Sequence, residues 1–155
     1  MRWIFVDRII EMDPGKSAVG VRNFSRSERF FMDHFPGYPI VPGVLHVEMI
    51  AEVGVMSIMA GNPDFLPILG SIKSAKFYNK IVPGDQAVIK VQVVVRKEFS
   101  VASGHIEVEK KKVSAAEMIL AHIPFPDNFM KKLRNDGILL DEWIRLRVHE
   151  SNNLE

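Results

Sequence analysis

At 155 residues, with 47% hydrophobic and 25% charged side chains, the chain fits a single globular domain and can bury a real core. A net charge of +1 offers none of the basic excess that nucleic-acid binding calls for. The absence of cysteine excludes disulfides, thiolate metal sites and thiol redox chemistry.

The first stretch, Trp3 to Met12, is rich in β-branched and aromatic residues, and Asp13-Pro14-Gly15 after it has turn chemistry. A hairpin running into Ser17–Phe24 is expected. The opening MRWIFVDRIIE turns charged at Asp7-Arg8 and lacks the apolar run of a signal peptide, so the expected location is the cytoplasm. Ser25 to Phe31 is polar with an aromatic end, and reads as a connection that seats the following loop, with Phe35 as an anchor there.

The segment His34 to Gly61 organises the rest. A glycine- and proline-punctuated loop runs into a helix from Pro42 to Ala60 that is apolar on nearly every side and must therefore be buried. Pro42 suits the first helical position, and Gly61-Asn62-Pro63 supplies the stop. Its length approaches that of a membrane span, but Glu48 and Glu52 lie inside it, and charges at bilayer depth are costly. No membrane partner is expected.

Glu48 and Glu52 are four apart and share one face, so repulsion and burial together should raise the pKa of at least one. A glutamate kept protonated near neutral pH is a candidate general acid. His34 in the preceding loop is a candidate base, and the free N–H groups at Gly43-Val44 are candidate oxyanion donors at the positive end of the helix dipole. Phe35, Pro42, Val44 and Glu52 are the candidate substrate contacts around them. The plainer alternatives are a surface or capping histidine and a glutamate ion-paired with an arginine from elsewhere in the chain.

After the helix, residues 62–67 read as a loop and Ile68 to Tyr78 as a strand whose Lys73 and Lys76 need solvent or an anionic partner. Pro83-Gly84-Asp85 turns the chain; Gln86–Glu98, Val101–Val108 and Val113–Ile123 alternate as antiparallel strands. Lys110-Lys111-Lys112 falls at a hairpin turn, as a solvated tip or an electrostatic contact to an acidic partner protein. His105 and His122 are expected as strand residues and His46 as a structural one. No histidine pair has helical zinc spacing and no glycine-rich loop matches a phosphate cradle, so no metal or nucleotide cofactor is implied. Residues 126–155 change in composition and suit a C-terminal helical extension to a domain at 1–125.

The run H-F-P-G-Y-P-I-V-P-G-V-L-H-V-E, His34 to Glu48, resembles the active-site motif of the β-hydroxyacyl-acyl-carrier-protein dehydratases. Phe5-Val6-Asp7-Arg8, Pro14-Gly15-Lys16, Lys76-Phe77 and Val82-Pro83-Gly84-Asp85 are similar to further pieces of that family, and the resemblance covers residues 4 to 123. It implies an α+β hot-dog fold, a long central helix wrapped by an antiparallel sheet, with the site at a homodimer interface. It also implies a cofactor-free hydro-lyase of fatty acid synthesis acting on an acyl-carrier protein or CoA thioester. His34 would take the C2 proton, Glu48 would help the 3-hydroxyl leave as water, and the Gly43 N–H would hold the thioester oxygen. Two departures stand out: Glu52 where the family usually has Gln, and Met1-Arg2-Trp3 in place of its usual opening. A thioesterase on the same fold and a non-catalytic acyl-carrier-binding module are the alternatives; a His and Glu pair favours dehydration, because hydrolysis has no use for an acid aimed at C3.

Overall fold

The computed structural model describes residues 4–61 and 63–128. Trp3, Asn62 and the extension beyond Asn128 lie outside the described residues. Six strands form one antiparallel sheet in the order β1-β2-β4-β5-β6-β3, where β1 is Arg8–Asp13, β2 Ser17–Asn23, β3 Phe65–Phe77, β4 Gln86–Val95, β5 Phe99–Val108 and β6 Lys111–Pro124. A short helix α1 (Phe30–Asp33) and the long helix α2 (Gly43–Ala60) interrupt them. The sheet curls around α2. This is the hot-dog architecture that the sequence motif implies.

The alternation in β4 dictates which face meets the helix: Ala87, Ile89, Val91 and Val93 are buried, while Gln86, Gln92 and Val94 are exposed. Met49, Ile50, Val53 and Met56 on α2 are at most 1% exposed and interlock with them. Truncating any of the larger ones to alanine should cost about 2–5 kcal/mol. Helix and sheet approach so closely that a Cβ on Gly54 would lie 3.2 Å from that of Ala102, and one on Gly104 would lie 2.8 Å from Ile50 and 2.9 Å from the Lys90 carbonyl. Both glycines are there for space, not for backbone freedom.

The helix is not buried all round, as its composition suggested. Val44 is 73% exposed and Leu45, Glu48, Glu52 and Val55 are half-buried, so one stripe of α2 lies outside the wrap. Pro42 is the residue before the helix, with its carbonyl accepting the Leu45 N–H at 3.0 Å, one position earlier than expected.

Other boundaries move for identifiable reasons. β1 begins at Arg8, because Phe5 and Val6 give their N–H groups to a side chain instead of a strand. β3 begins at Phe65, inside the expected loop, and carries Pro67; a proline is tolerated there because β3 is the sheet edge. Arg96–Glu98 is the β4–β5 connection, closed by the Arg96 N–H donating to the Phe99 carbonyl at 2.9 Å. Glu109 and Lys110, both at positive φ, form the two-residue turn, which leaves Lys111 and Lys112 in β6.

Candidate active site

His34 is delivered by two supports. On its N-terminal side, Phe30 and Phe31 pack edge-on against Phe24, with ring centroids 6.4 and 6.5 Å away, and so fix α1 to the end of β2. Arg22 stiffens the same corner: its guanidinium bonds Asp7 at 2.9 Å and Glu28, and lies 5.5 Å from the Phe24 ring centre. On its C-terminal side, the Val41 N–H donates to the Ile81 carbonyl at 2.9 Å, which ties the loop exit to the segment before β4. Between these, Phe35 and Tyr38 exchange backbone hydrogen bonds of 2.9 and 2.8 Å around Gly37, whose φ of 75° a side chain would resist.

The imidazole itself is oriented by the backbone. His34 Nδ1 is 3.0 Å from the Ile40 carbonyl oxygen. A carbonyl only accepts, so Nδ1 carries the proton and Nε2 presents its lone pair, the tautomer a base requires. Phe35, the expected anchor of this loop, is 51% exposed and stacks on the His34 ring at 4.2 Å. Lys80 Nζ donates to the Tyr38 hydroxyl at 2.7 Å and closes the other side of the loop.

His34 and Gly43 line one pocket of about 370 Å³, together with Val41, His46, Phe77 and Lys80. Gly43 opens α2, so its N–H is one of the donors the helix cannot satisfy internally. A Cβ there would meet the Phe77 ring at 3.2 Å, which explains the glycine and keeps the N–H approachable. His34 and Gly43, the candidate base and candidate oxyanion donor, are thus brought to one pocket within one chain.

Glu48 is not brought to the same pocket. It is half-buried on the open stripe of α2 and takes no hydrogen bond or ion pair among the described residues. Val44, on that stripe, is exposed, and Pro42 is half-buried at the helix entry. Glu52 has a different task from the one expected: its Oε2 accepts the N–H of Phe5 at 2.8 Å and of Val6 at 3.1 Å, pinning the N-terminal segment to the helix. It does not line the His34 pocket.

His46 is the pocket residue that sequence reasoning set aside. It is 2% exposed; Nδ1 lies 3.0 Å from Ser114 Oγ, Nε2 is sealed from solvent and has no partner among the described residues, and the ring packs edge-on to Phe77 at 5.7 Å. Burial pushes its pKa down to about 4, so the imidazole is neutral at pH 7. Its spacing, one helical turn after Gly43, was the available signal. A larger concavity of about 820 Å³ lies on the sheet, lined by residues including Lys90, Ser103, His105 and Glu117. Several of its charges are paired: Glu107 accepts from both Lys90 and His105 at 2.9 Å, and Lys73 pairs with Glu117 at 3.3 Å.

Residues 2–117 match the model of the FabA-like domain. The chain is 38% identical over 118 residues to a 3-hydroxyacyl-[acyl-carrier-protein] dehydratase FabZ of Clostridium acetobutylicum, covering 74% of this chain and 84% of that one. It is also 38% identical over 126 residues to the enzyme of the same name from Syntrophotalea carbinolica, covering 79% and 86%. Among solved structures, the dehydratase heterocomplex ApeI:P from Xenorhabdus doucetiae superposes with a TM-score of 0.60 at 20% identity, over 78% of this chain and 99% of that one. A Streptococcus mutans UA159 protein bound to acetyl CoA superposes with a TM-score of 0.62 at 12% identity, over 80% and 96%. These two likenesses concern the fold.

Proposed function

The chain belongs to the FabA-like domain family, and from that membership we infer that it is a hot-dog dehydratase, removing water from a 3-hydroxyacyl thioester of fatty acid synthesis to give the trans-2-enoyl thioester. The observation that carries the assignment of roles is the His34 tautomer, held by the Ile40 carbonyl beside the free N–H of Gly43.

The thioester carbonyl acidifies C2–H, and the Gly43 N–H stabilises the negative charge that builds on the carbonyl oxygen as His34 Nε2 takes the proton. The electron pair then forms the C2–C3 double bond as the C3–O bond breaks, and the hydroxyl leaves as water with a proton from Glu48. Phe35, Pro42 and Val44 border the path by which the substrate arrives.

Glu48 reaches that position from a second copy of the chain. Support comes from the edge strand β3, which leaves one side of its backbone unpaired and exposes Ile68, Leu69, Ile72 and Phe77 at 41, 44, 48 and 52%. Support also comes from the open stripe of α2, where Glu48 has no partner within the described chain. An isologous dimer through β3 covers both. Acyl-carrier protein or CoA carries the acyl group, and the cytoplasm is the compartment proposed.

The deciding experiment is incubation with a 3-hydroxyacyl-carrier protein and mass readout. Loss of water with retention of the acyl group supports dehydration; loss of the acyl group supports a thioesterase; neither change leaves the binding-module reading.

A further inference from the structure

The alternation that turns Ser100, Ala102, Met118 and Leu120 toward α2, each 0% exposed, turns their neighbours to the other side of the sheet. The register sets those outward side chains in rows. Val94 pairs with Val101 and Val101 with Ile119, while Phe99 and Ile68 both pair with Ala121. The result is an apolar strip across β4, β5, β6 and β3 on the face away from the helix. Val94, Phe99 and Ile68 within it are 50, 39 and 41% exposed. The next row, Gln92, Ser103, Glu117 and Ser74, is polar, so the strip is sharply bounded. It is also separate from the side of β3 assigned to a second copy: Leu69, Ile72 and Phe77 lie in register with the inward Leu120, Met118 and Ser114, whereas Ile68 lies in register with the outward Ala121.

The place where the chain leaves the sheet points to what covers the strip. β6 contributes Ile119 and Ala121 to it and ends at Pro124, and residues 129–155 follow shortly after. In that segment Leu139, Leu140, Trp143, Ile144 and Leu146 recur at the spacing of one helix face, with Asp141, Glu142 and Arg145 at the spacing of the other. Four strands about 4.8 Å apart span roughly 14 Å, the length of about ten helical residues. The exposed Arg96 and Lys97 of the β4–β5 connection stand at the end of the strip and complement Asp141-Glu142. A tethered segment meets the strip at an effective concentration of about millimolar and escapes the association entropy that a separate partner loses.

We propose that the C-terminal segment around Trp143 docks on this outer apolar strip of its own chain and covers the second face of the sheet. The inference is independent of the dehydratase reading.

The test uses the full chain carrying Trp3→Phe, which leaves Trp143 as the sole tryptophan. Its emission should be blue-shifted, and its acrylamide quenching several-fold below that of a synthetic peptide of residues 129–155. Val94→Lys, at a position already half exposed, should move both readings toward those of the peptide with unchanged circular dichroism, while Ser103→Lys in the polar row should move neither. Because the natural chain has no cysteine, Val101→Cys and Ile144→Cys can be joined by a short bis-maleimide, and the product should have the mass of one chain. This arm needs neither Trp3→Phe nor Val94→Lys to be tolerated. Trp143 as open to acrylamide as in the peptide, or equally shielded with and without Val94→Lys, would overturn the inference. A cross-linked product of two chains would place the segment on a neighbouring copy and overturn it too, as would the absence of any product. Turnover enters none of these readings, so the dehydratase assignment stands or falls separately.

Discussion

The buried His46 makes a quantitative statement about stability against pH. Its pKa is pushed down from 6.5 to about 4 in the folded chain. The unfolded chain takes up a proton below pH 6.5 that the native chain refuses until about pH 4, so the depressed histidine leaves stability whole above about pH 7 and removes it as the pH falls between those values. At 1.36 kcal/mol per unit, the full loss is about 3 kcal/mol, and at pH 5 it is about 2 kcal/mol. The perturbation is His46→Leu, which removes the titration and keeps an apolar group of comparable size against Phe77. Urea unfolding of both proteins at pH 7.5 and pH 5.0, at one fixed protein concentration because assembly contributes to apparent stability, isolates the effect. The remaining ionisable groups are common to both chains, so the comparison isolates His46. The wild type should lose about 2 kcal/mol more than the variant between the two pH values. Equal losses would refute the claim that His46 is held neutral by burial.

His34→Ala should abolish turnover, with unchanged circular dichroism and assembly, since the half-buried loop imidazole contributes little packing; activity within a few-fold of wild type would remove His34 as the base. Inactive His34→Ala and Glu48→Ala chains, mixed and allowed to exchange, should regain part of the wild-type rate if each site draws on two copies, and a mixture as dead as its components would place both groups in one chain. Glu52→Ala should cost about 2 kcal/mol in urea unfolding, because two backbone N–H groups lose their acceptor, whereas Glu52→Gln, which keeps an acceptor oxygen, should cost less than about 1 kcal/mol.

The helix was legible in the sequence because its signals are local: a proline at the entry, a glycine at the exit and a mostly apolar run between them. The loop at His34 was legible as chemistry, though not as geometry, because the Ile40 carbonyl that fixes the tautomer is reached only by a turn six residues long. Glu52 was misjudged for the opposite reason. Its spacing from Glu48 is visible in the chain, but its partners, Phe5 and Val6, lie more than forty residues upstream, and no pattern near the helix points to them. His46 was passed over because one histidine on an apolar helix is ordinarily inert, and only the register that sets Ser114 beside it and Phe77 above it shows an unpaired nitrogen in the pocket wall. The four residues of α1 have too little periodicity to be seen, and they form because three phenylalanines collect there.

The strand order also sets a timetable. β4, β5 and β6 are joined by tight turns and can zip together early, whereas Asn23 must find Gln86 and Phe77 must find Ser114. Closing a loop of roughly sixty residues costs about 2 kcal/mol more in chain entropy than closing one of about five. The β4–β6 meander is therefore expected to gain amide protection first in pulse-labelled exchange, with β2 and β3 following once α2 has settled on it. His34 and Gly43 sit in the span that the late β2–β4 pairing closes, so during refolding catalytic competence should lag behind the bulk of the secondary structure.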